Sequence, residues 1–387
     1  MRLLIAATGT PTASGKGYQV RLYHQLLELA SRHDLTLLTF GHTSEVDKRL
    51  SQACREVVSL PLPTTSTMAA AVANSAHLPL SVGLYRNRRM AHEITDHLRR
   101  GDYDIVLLQL VRMAPYLRET HGVPTVLDLL DAAELNMRER ARAAALGPRQ
   151  VLELEARRLG VYEREAIAAA SLSLLISRRD FEYLERPPKA RVLPNGVDLP
   201  GPGIRAERTP KAIIFSGTMS YFPNADAATW FVNEVLPTVH RSEPAATFRI
   251  VGRDPTGRVS GLASRPGVTV TGAVGEMSDE LMRATVSVCP MRFGSGMQTK
   301  ILEAMAAGTP VVATTKALAG IPDDLQGFAA SADAPEAFAN KVIQVLRDPG
   351  VLQRANDGVE AIRARHTWRH SAEHLEALLQ EVLAATR

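Results

Sequence analysis

Short apolar runs alternate with stretches of helical periodicity along the whole chain. In the first half, the apolar runs predict β-strands at Leu3–Ala7, Leu35–Phe40, Ile105–Leu110, Thr125–Leu130 and Leu172–Ile176. In the second half, they predict strands at Ala212–Phe215, Thr247–Val251, Val268–Thr271, Val286–Cys289 and Pro310–Ala313. Strands that alternate with helices pair in parallel, with helices on both faces of the sheet. The pattern therefore predicts an α/β protein with two Rossmann-like, doubly wound domains.

The segment 191–210 separates the two runs of strands. It is rich in proline and glycine and has no apolar periodicity, which is typical of an interdomain linker. We predict a first domain over 1–195 and a second over 205–366. The last helix, 367–387, either closes the second domain or crosses back, and we expect it to complete the first. Ligands of such sheets bind at the carboxyl ends of the strands, so two facing domains predict a site in the cleft between them.

The composition narrows the class of ligand. The 387 residues are 45% hydrophobic and 22% charged, as in a globular protein, and 45 basic residues face 41 acidic ones. Aromatic residues make up 5% of the chain and do not cluster with basic ones, which argues against nucleic-acid binding. Cys54 and Cys289 lie far apart and no spacing typical of metal ligands is present, so we predict no disulfide, metal or cofactor. Anionic small molecules are the favoured partners.

Two segments bear on location and on membranes. Residues 1–10 have one charge before a short apolar run and no cleavage pattern, so we expect a first strand and a cytoplasmic protein. No uninterrupted apolar run reaches about 18 residues, which argues against a transmembrane helix. Leu84–Arg100 has the pattern of a basic amphipathic helix. Contact of this helix with anionic lipid is the less favoured interpretation, and a solvated helix face is the simpler one.

The segment 290–314 carries the clearest candidate chemistry. A strand end runs into a turn with Gly294 and Gly296 and then into a helix, and such a turn lets the backbone approach a ligand closely. Backbone N–H groups at a helix start bind anions or sugar hydroxyls. Those predicted here belong to Gly296, Met297, Gln298 and Thr299. Lys300 adds a cation, and Glu303 can accept hydrogen bonds from the two hydroxyls of a ribose. The alternative is an amphipathic helix with a surface Lys and Glu.

The same segment resembles the signature of retaining glycosyltransferases of the GT-B fold, family 4, also called glycosyltransferase group 1. In that signature a Glu, seven residues and a second Glu precede Ala-Met-Ala-x-Gly-x-Pro-Val-Val, and Glu303 stands at the position of the second Glu. Other segments agree with the family in order and spacing, namely Leu174–Asp180, Leu193–Asp198, Phe215–Ala227 and Phe248–Pro255. In the first domain the resemblance rests on the loop TASGKGYQV and on PTVLDLLDAAE.

The resemblance implies a hexosyltransferase of carbohydrate or natural-product biosynthesis. It would move a sugar from a nucleotide diphosphate sugar to a hydroxyl of a small-molecule, lipid-linked or polysaccharide acceptor, with retention and without a metal. Glu303 would bind the ribose, backbone near Ala273 and Val274 the base, and the start of the helix at Thr299 the diphosphate. The full set of implied donor contacts is Gly15, Gly17, Gly217, Asn224, Arg253, Val274, Arg292, Ser295, Gly296, Met297, Gln298, Thr299 and Glu303. The implied catalytic residues are Asp131, Arg112 and Lys300.

The sequence departs from the family pattern at three places. Ser295 stands where the first Glu of the family's pair is expected. Thr218 and Asn224 stand near the place of the usual basic pair, which leaves Arg253, Arg292 and Lys300 as cations for the diphosphate. The family's common His is absent after the strand that ends at Leu130, where Asp131 follows instead.

Several alternatives therefore stay open. Asp131 either contacts the sugar or the acceptor or caps the next helix, and Asp128 is either part of the site or a buried structural carboxylate. Arg112 contacts an acceptor or phosphate, or it forms a surface salt bridge. The whole chain could instead be a nucleotide-sugar 2-epimerase or hydrolase of the same fold, or a non-catalytic subunit that binds a sugar nucleotide.

Overall fold

The computed structural model divides the chain into two compact units. The first comprises Met1–Gly196 and Trp368–Arg387, and the second comprises Val197–Thr367. The structure describes residues 1–61, 78–201, 207–294, 296–348 and 350–386. The predicted start of the second domain, residue 205, lies outside these described residues.

The first unit is built on a parallel sheet of seven strands. The strands, in chain order, are β1 Arg2–Ala7, β2 Asp34–Phe40, β3 Glu56–Leu60, β4 Ile105–Gln109, β5 Thr125–Leu130, β6 Leu172–Leu175 and β7 Ala190–Val192. Their order in the sheet is β3-β2-β1-β4-β5-β6-β7. The central strands are buried on both faces, which explains why they are continuous apolar runs in the sequence.

The second unit is built on a parallel sheet of six strands. These are β8 Ala212–Ser216, β9 Thr247–Val251, β10 Val268–Gly272, β11 Val286–Cys289, β12 Val311–Ala313 and β13 Ala329–Ser331. Their order is β10-β9-β8-β11-β12-β13, so both sheets run outward in two directions from a central crossover. The prediction of two doubly wound, Rossmann-like domains is confirmed.

Three strands that the apolar pattern did not predict all lie at sheet edges. They are β3, β7 and β13. Each includes polar or partly exposed positions, as in the sequences EVVSL, ARV and AAS. An edge strand pairs on one side only and is covered less completely, so it does not need a continuous apolar run.

Helices of the first unit flank its sheet. They are α1 Gly17–Leu29, α2 Lys48–Ala53, α3 Leu80–Gly83, α4 Arg88–Arg100, α5 Ala133–Ala143, α6 Leu146–Ala169 and α7 Arg178–Tyr183. The helix predicted over Leu84–Arg100 begins only at Arg88, because the Asn87 side chain accepts a hydrogen bond from Arg89 N over 2.8 Å and caps it there. Met90 and Ile94 of α4 are buried. Across the described parts of the chain, every helix is too short or too polar to traverse a bilayer.

Helices of the second unit flank the other sheet. They are α8 Phe222–Trp230, α9 Leu236–Ser242, α10 Gly257–Ser260, α11 Met277–Arg283, α12 Thr299–Ala306, α13 Thr315–Leu318, α14 Asp323–Gln326, α15 Pro335–Arg347 and α16 Val351–Arg365. A π-helical turn, Phe231–Val235, joins α8 to α9. The core between sheet and helices includes Phe231, which lies 4.4 Å from Phe248, ring centre to ring centre.

The last helix, α17, spans Trp368–Thr386 and belongs to the first unit. Its Leu375 and Leu379 lie in the same buried cluster as Leu22 of α1. The Trp368 indole also stacks on the His24 ring of α1, with 4.6 Å between the ring centres. The chain thus returns to the first unit after the strands of the second are complete.

The predicted linker, 191–210, is shorter in the structure. Its first residues form β7 at the edge of the first sheet, Leu193 is buried, and Asn195 is held by a buried side chain of α1. These contacts assign the first residues of the segment to the first unit, although their proline and glycine content resembles that of a loop.

Candidate functional site

The loop after β8 meets the start of α12 in the second unit. The Lys300 Nζ donates a hydrogen bond to the Asn224 Oδ1 over 2.6 Å, and the Asn224 Nδ2 donates to the Thr218 carbonyl oxygen over 2.9 Å. A Cβ at Gly217 would lie 2.7 Å from Asn224 Nδ2 and 3.1 Å from Lys300 Nζ. We call these residues, Gly217, Thr218, Asn224 and Lys300, the cradle. Glycine is required at 217 because both side chains close over it.

The Lys300 ammonium is a cation held by a neutral partner. It lies 4.5 Å from the centre of the Phe215 ring, where the face of the ring attracts it. Burial lowers the pKa of Lys300, while the neighbouring Glu303 raises it. Within the described residues Lys300 forms no salt bridge of 4.0 Å or less. Its charge is therefore available to an anion that enters the cradle.

Glu303 lies one helical turn after Lys300 and is half-buried. Burial raises the pKa of its carboxyl group, Lys300 lowers it, and Asp198 raises it further. Among the described residues, none donates a hydrogen bond to this carboxylate. A half-buried acceptor without donors is suited to a pair of hydroxyl groups from a ligand.

Arg253 reaches the cradle from the end of β9. Its Nε donates to the Thr218 hydroxyl over 3.2 Å. The residues that follow β8 and β9 lie very close to each other. A Cβ at Gly252 would lie 1.8 Å from the Gly217 carbonyl oxygen, so this position requires glycine. The structure therefore brings together three residues that the sequence predicts as donor contacts, Gly217, Asn224 and Arg253, with Lys300.

Arg292, another of the predicted cations, forms an ion pair with Asp226. Its Nε and Nη2 donate to the two carboxylate oxygens of Asp226 over 3.0 and 2.6 Å. Its guanidinium carbon also lies 5.8 Å from the centre of the Phe293 ring. This bidentate pair balances the Arg292 charge, so Lys300 is better placed than Arg292 to bind a diphosphate.

The glycine-rich turn before α12 contains several of the predicted contacts. Ser295 lies outside the described residues. Gly294 and Gly296 have φ angles of 111° and 71°, which favour glycine, and α12 begins at Thr299 with Gln298 as its N-cap. Within the described residues, no acceptor receives the N–H groups predicted to bind a ligand, those of Gly296, Met297, Gln298 and Thr299.

Gly320 shapes this turn, and the sequence analysis missed it. A Cβ at Gly320 would lie 2.1 Å from the Gly296 carbonyl oxygen, so only glycine lets the two segments approach. The glycine-rich signature does not include this residue, because its role depends on a contact between distant segments.

The residues predicted to contact the base follow β10, on the other side of the sheet centre. Val274 packs partly against the core, while Ala273 is exposed.

Asp131 lies in the first unit, directly after β5. Leu130 before it has a φ of 62°, a backbone conformation that a leucine rarely adopts. Burial raises the pKa of Asp131 to about 7, with Asp180 and Asp128 adding to the shift and Arg21 opposing it. A carboxyl group that titrates near neutral pH is suited to proton transfer or to binding a hydroxyl.

The alternative role of Asp131 as a helix cap is wrong. The N-cap of α5 is Ala132. The first N–H groups of that helix, of Ala133 and Glu134, donate instead to the Glu163 carboxylate over 2.8 and 3.3 Å. Burial raises the pKa of Glu163 to about 7 in spite of these hydrogen bonds.

The surface salt bridge weighed for Arg112 is also absent from the described residues. Arg112 is half-buried, and its guanidinium carbon lies 5.4 Å from the centre of the Tyr85 ring. Described carboxylates all lie beyond salt-bridge distance of this side chain. The Arg112 charge is held by an aromatic face and is open to an anion.

Asp128 is a structural carboxylate. Arg21 of α1, fully buried, donates from Nε to Asp128 Oδ2 over 2.8 Å. The Arg21 Nη1 donates to Asn195 Oδ1 over 2.8 Å and to the Leu193 carbonyl oxygen over 2.9 Å. These bonds join α1, β5 and the segment after β7, and the sequence analysis missed Arg21.

The glycines of the first loop differ from one another. A Cβ at Gly15 would lie 2.6 Å from Thr12 Cγ2 and 2.8 Å from Gln19 Oε1, so a side chain at this position would clash with both residues. Gly17 is the first residue of α1 and has no neighbour within 4 Å of a Cβ placed there. Gly15 shapes the loop, whereas packing in the described residues does not require glycine at 17.

Comparisons with known proteins find a family match within the second unit. Residues 210–348 match the family described as Glycosyl transferases group 1. The chain is 23% identical over 377 residues to an exopolysaccharide phosphotransferase of Streptomyces coelicolor, which covers 88% of this chain. This chain spans 37% of that relative's length.

Solved structures resemble the whole chain. Sucrose-phosphate synthase of Thermosynechococcus elongatus superposes with a TM-score of 0.70 at 16% identity and covers 100% of both chains. Anabaena HepE in complex with UDP superposes with a TM-score of 0.68 at 14% identity and covers 98% of this chain and 100% of that one. At such low identity these likenesses show the fold alone. The chain has the two-domain fold of GT-B glycosyltransferase structures, and its match to the Glycosyl transferases group 1 family lies within the second unit.

Proposed function

We propose that the protein is a glycosyltransferase that moves a sugar from a nucleotide diphosphate sugar to a hydroxyl group of an acceptor. The observation that carries the proposal is the cradle with Glu303 one turn away. Among the described residues, Lys300 has no carboxylate within salt-bridge distance and Glu303 receives no hydrogen bond, and both lie in the segment that matches the glycosyltransferase family. We assign donor binding to the second unit and acceptor binding to the first.

The cradle fits a diphosphate leaving group. Transfer of the sugar leaves negative charge on the diphosphate while the sugar carbon gains oxocarbenium character. Fixed donors that point at the developing charge lower the barrier more than groups that must reorient. Lys300, Arg253 and the N–H groups before α12 are such donors. Glu303 would accept hydrogen bonds from the ribose hydroxyls.

Because cations of the chain itself face the cradle, we propose that the reaction needs no metal ion. Full turnover after chelation of divalent cations supports this point, and restoration of activity only by added Mg²⁺ or Mn²⁺ contradicts it.

We also propose retention of the anomeric configuration, which nuclear magnetic resonance of the product tests directly. We further propose that the protein is located in the cytoplasm.

The first experiment is thermal shift of the purified protein with UDP, GDP, ADP and TDP, because a ligand that binds only the folded state raises the melting temperature. One nucleotide should give a clear shift in the wild type. Glu303→Ala should weaken its binding by about 1.5–3 kcal/mol, the usual effect of losing charged hydrogen bonds. Glu336→Ala, which removes an exposed carboxylate of α15, is the matched control and should bind like the wild type.

The second experiment is turnover with the matching sugar nucleotides and an acceptor panel, read by mass spectrometry. Addition of a sugar to the acceptor supports the proposal, whereas addition of a sugar phosphate or a phosphate indicates a phosphotransferase. An epimerised or hydrolysed donor without an acceptor product indicates the second enzyme class. Nucleotide binding with no turnover on any pair indicates a non-catalytic subunit.

A further inference from the structure

Arg112 belongs to a small cluster of the first unit that the donor site does not explain. Its guanidinium carbon lies 5.4 Å from the centre of the Tyr85 ring. The Gln109 Nε2 at the end of β4 donates to the Tyr18 carbonyl oxygen over 2.7 Å, which holds Tyr18 close to the segment that contains Arg112. Burial raises the pKa of the Tyr18 phenol, and the positive charge of Arg112 opposes this shift. Arg112, Tyr85 and Tyr18 therefore share one half-buried environment at the carboxyl ends of β1 and β4.

Arg112 differs from the other partly buried arginines of this unit. Arg179 lies 3.6 Å from the Glu139 carboxylate, and Arg158 donates to the Leu78 carbonyl oxygen over 2.7 Å. Fully buried Arg21 pairs with Asp128. In the described parts of this unit, Arg112 is thus a partly desolvated cation whose contact is a neutral ring.

The phenol of Tyr18 adds a hydrogen-bond donor beside this cation. Because burial raises its pKa, the phenol stays protonated and can donate to an anion. A guanidinium with a phenol donor beside it is a typical arrangement for a phosphate or carboxylate group.

The backbone links this cluster to Asp131. β4 and β5 are neighbours, and the Leu110 N–H donates to the Asp128 carbonyl oxygen over 2.7 Å where both strands end. Leu110, directly after β4, and Leu130, the last residue of β5, have φ angles of 69° and 62°, which a leucine rarely adopts. Arg112 and Asp131 follow within two residues of these positions. Strain of this kind occurs at sites where the position of a functional group matters.

We propose that the acceptor carries an anionic group, phosphate or carboxylate, that Arg112 binds together with the Tyr18 phenol while Asp131 contacts the acceptor hydroxyl. This inference rests on the proposed function, because it names the class of acceptor for that reaction. The anion would balance the Arg112 charge. The hydroxyl that receives the sugar would lie toward the end of β5.

The test is calorimetric titration of the full chain with glucose 6-phosphate, glucuronate and glucose, in the presence and absence of the nucleotide that binds. We expect the wild type to bind an anionic probe about ten- to a hundredfold more tightly than glucose, the range for hydrogen bonds to charged groups. Arg112→Gln should abolish this preference, and Tyr18→Phe should reduce it. Arg118→Gln changes an exposed arginine of the same segment, Val111–Thr120, and should keep it.

Vesicles of phosphatidylglycerol, titrated in the same way, separate a lipid source of the anion from a soluble one. Binding that requires Arg112 supports the inference with either source. Equal binding of anionic and neutral probes, equal binding by the Arg112→Gln and Arg118→Gln variants, or no binding of any anionic probe or vesicle overturns it.

Nucleotide binding keeps this inference distinct from the proposed function. If the nucleotide binds and the preference for anions is absent, the inference alone fails. If no nucleotide binds and the preference for anions depends on Arg112, the proposed function fails and the anion site stands.

Discussion

The Lys300 ammonium donates to the Asn224 carboxamide oxygen over 2.6 Å, although 76 residues separate the two in the chain. The contact fixes the start of α12 against the start of α8. It also leaves the positive charge of Lys300 without a negative partner among the described residues. An anion placed at Gly217 would meet this charge at short range.

Gly217→Ala tests the shape of the cradle. The added methyl group would lie 2.7 Å from Asn224 Nδ2 and must displace Asn224 or Lys300. We expect overpacking to cost about 1–3 kcal/mol of stability and nucleotide binding to weaken by about tenfold or more. Chemical denaturation and calorimetric titration measure the two effects.

The matched control is Gly257→Ala, in the same unit, where a Cβ has no neighbour within 4 Å. Gly257→Ala should bind nucleotide like the wild type. If Gly217→Ala does so too, the cradle does not hold the diphosphate.

Arg21→Met tests the buried ion pair of the first unit. It leaves the Asp128 carboxylate buried without its partner, and we expect a loss of about 3–5 kcal/mol in the free energy of unfolding. Urea denaturation measures the loss. Arg149→Met, which breaks an exposed pair with Glu153, should change stability by less than about 1 kcal/mol.

The double variant Arg21→Met with Asp128→Leu separates lost attraction from an unpaired charge. Because it removes both charges, it should be more stable than Arg21→Met alone. A double variant that is less stable would show that Asp128 has stabilising contacts apart from Arg21.

Glu163 makes the stability of the first unit depend on pH. Its pKa is about 7 in the folded protein, above the ordinary value of 4.5 for a glutamate, so the folded state binds more protons between these values. Stability contributed by the protonated group is complete at low pH and is lost as the pH rises toward 7. Glu163→Gln should therefore flatten the fall in unfolding free energy between about pH 5 and pH 8, by roughly 1–3 kcal/mol.

Chemical denaturation across this pH range checks the prediction. Glu165→Gln, an exposed position on the same helix, should retain the wild-type slope. Equal slopes for the two variants would mean that Glu163 ionises normally in the folded protein.

Asp131 should appear in the pH dependence of the reaction. Burial raises its pKa to about 7, and the ionised form accepts a hydrogen bond from a hydroxyl more strongly. We expect kcat/KM to rise from about pH 6 to pH 8 in the wild type and Asp131→Asn to lack this rise. A rise of the same size in the variant would assign it to another group.

Most of the fold follows from local patterns in the amino-acid sequence. Buried parallel strands must be apolar on both faces, so the central strands of both sheets appear as uninterrupted runs. The edge strands β3, β7 and β13 do not appear in this way, because half-covered strands tolerate polar residues. The start of α12 and the position of Glu303 were also predictable, since glycines and helix periodicity are local signals.

The pairing of charges depends on the packing of distant segments. Arg292 and Lys300 lie in the same short segment of the sequence, yet the Asp226 carboxylate neutralises the first and the neutral Asn224 side chain holds the second. Arg21 has the local pattern of an ordinary helix residue, but it is buried against Asp128, 107 residues away. Such partners lie on separate strands and helices, so their distances follow from the packing of the whole unit and leave no periodic trace in the chain.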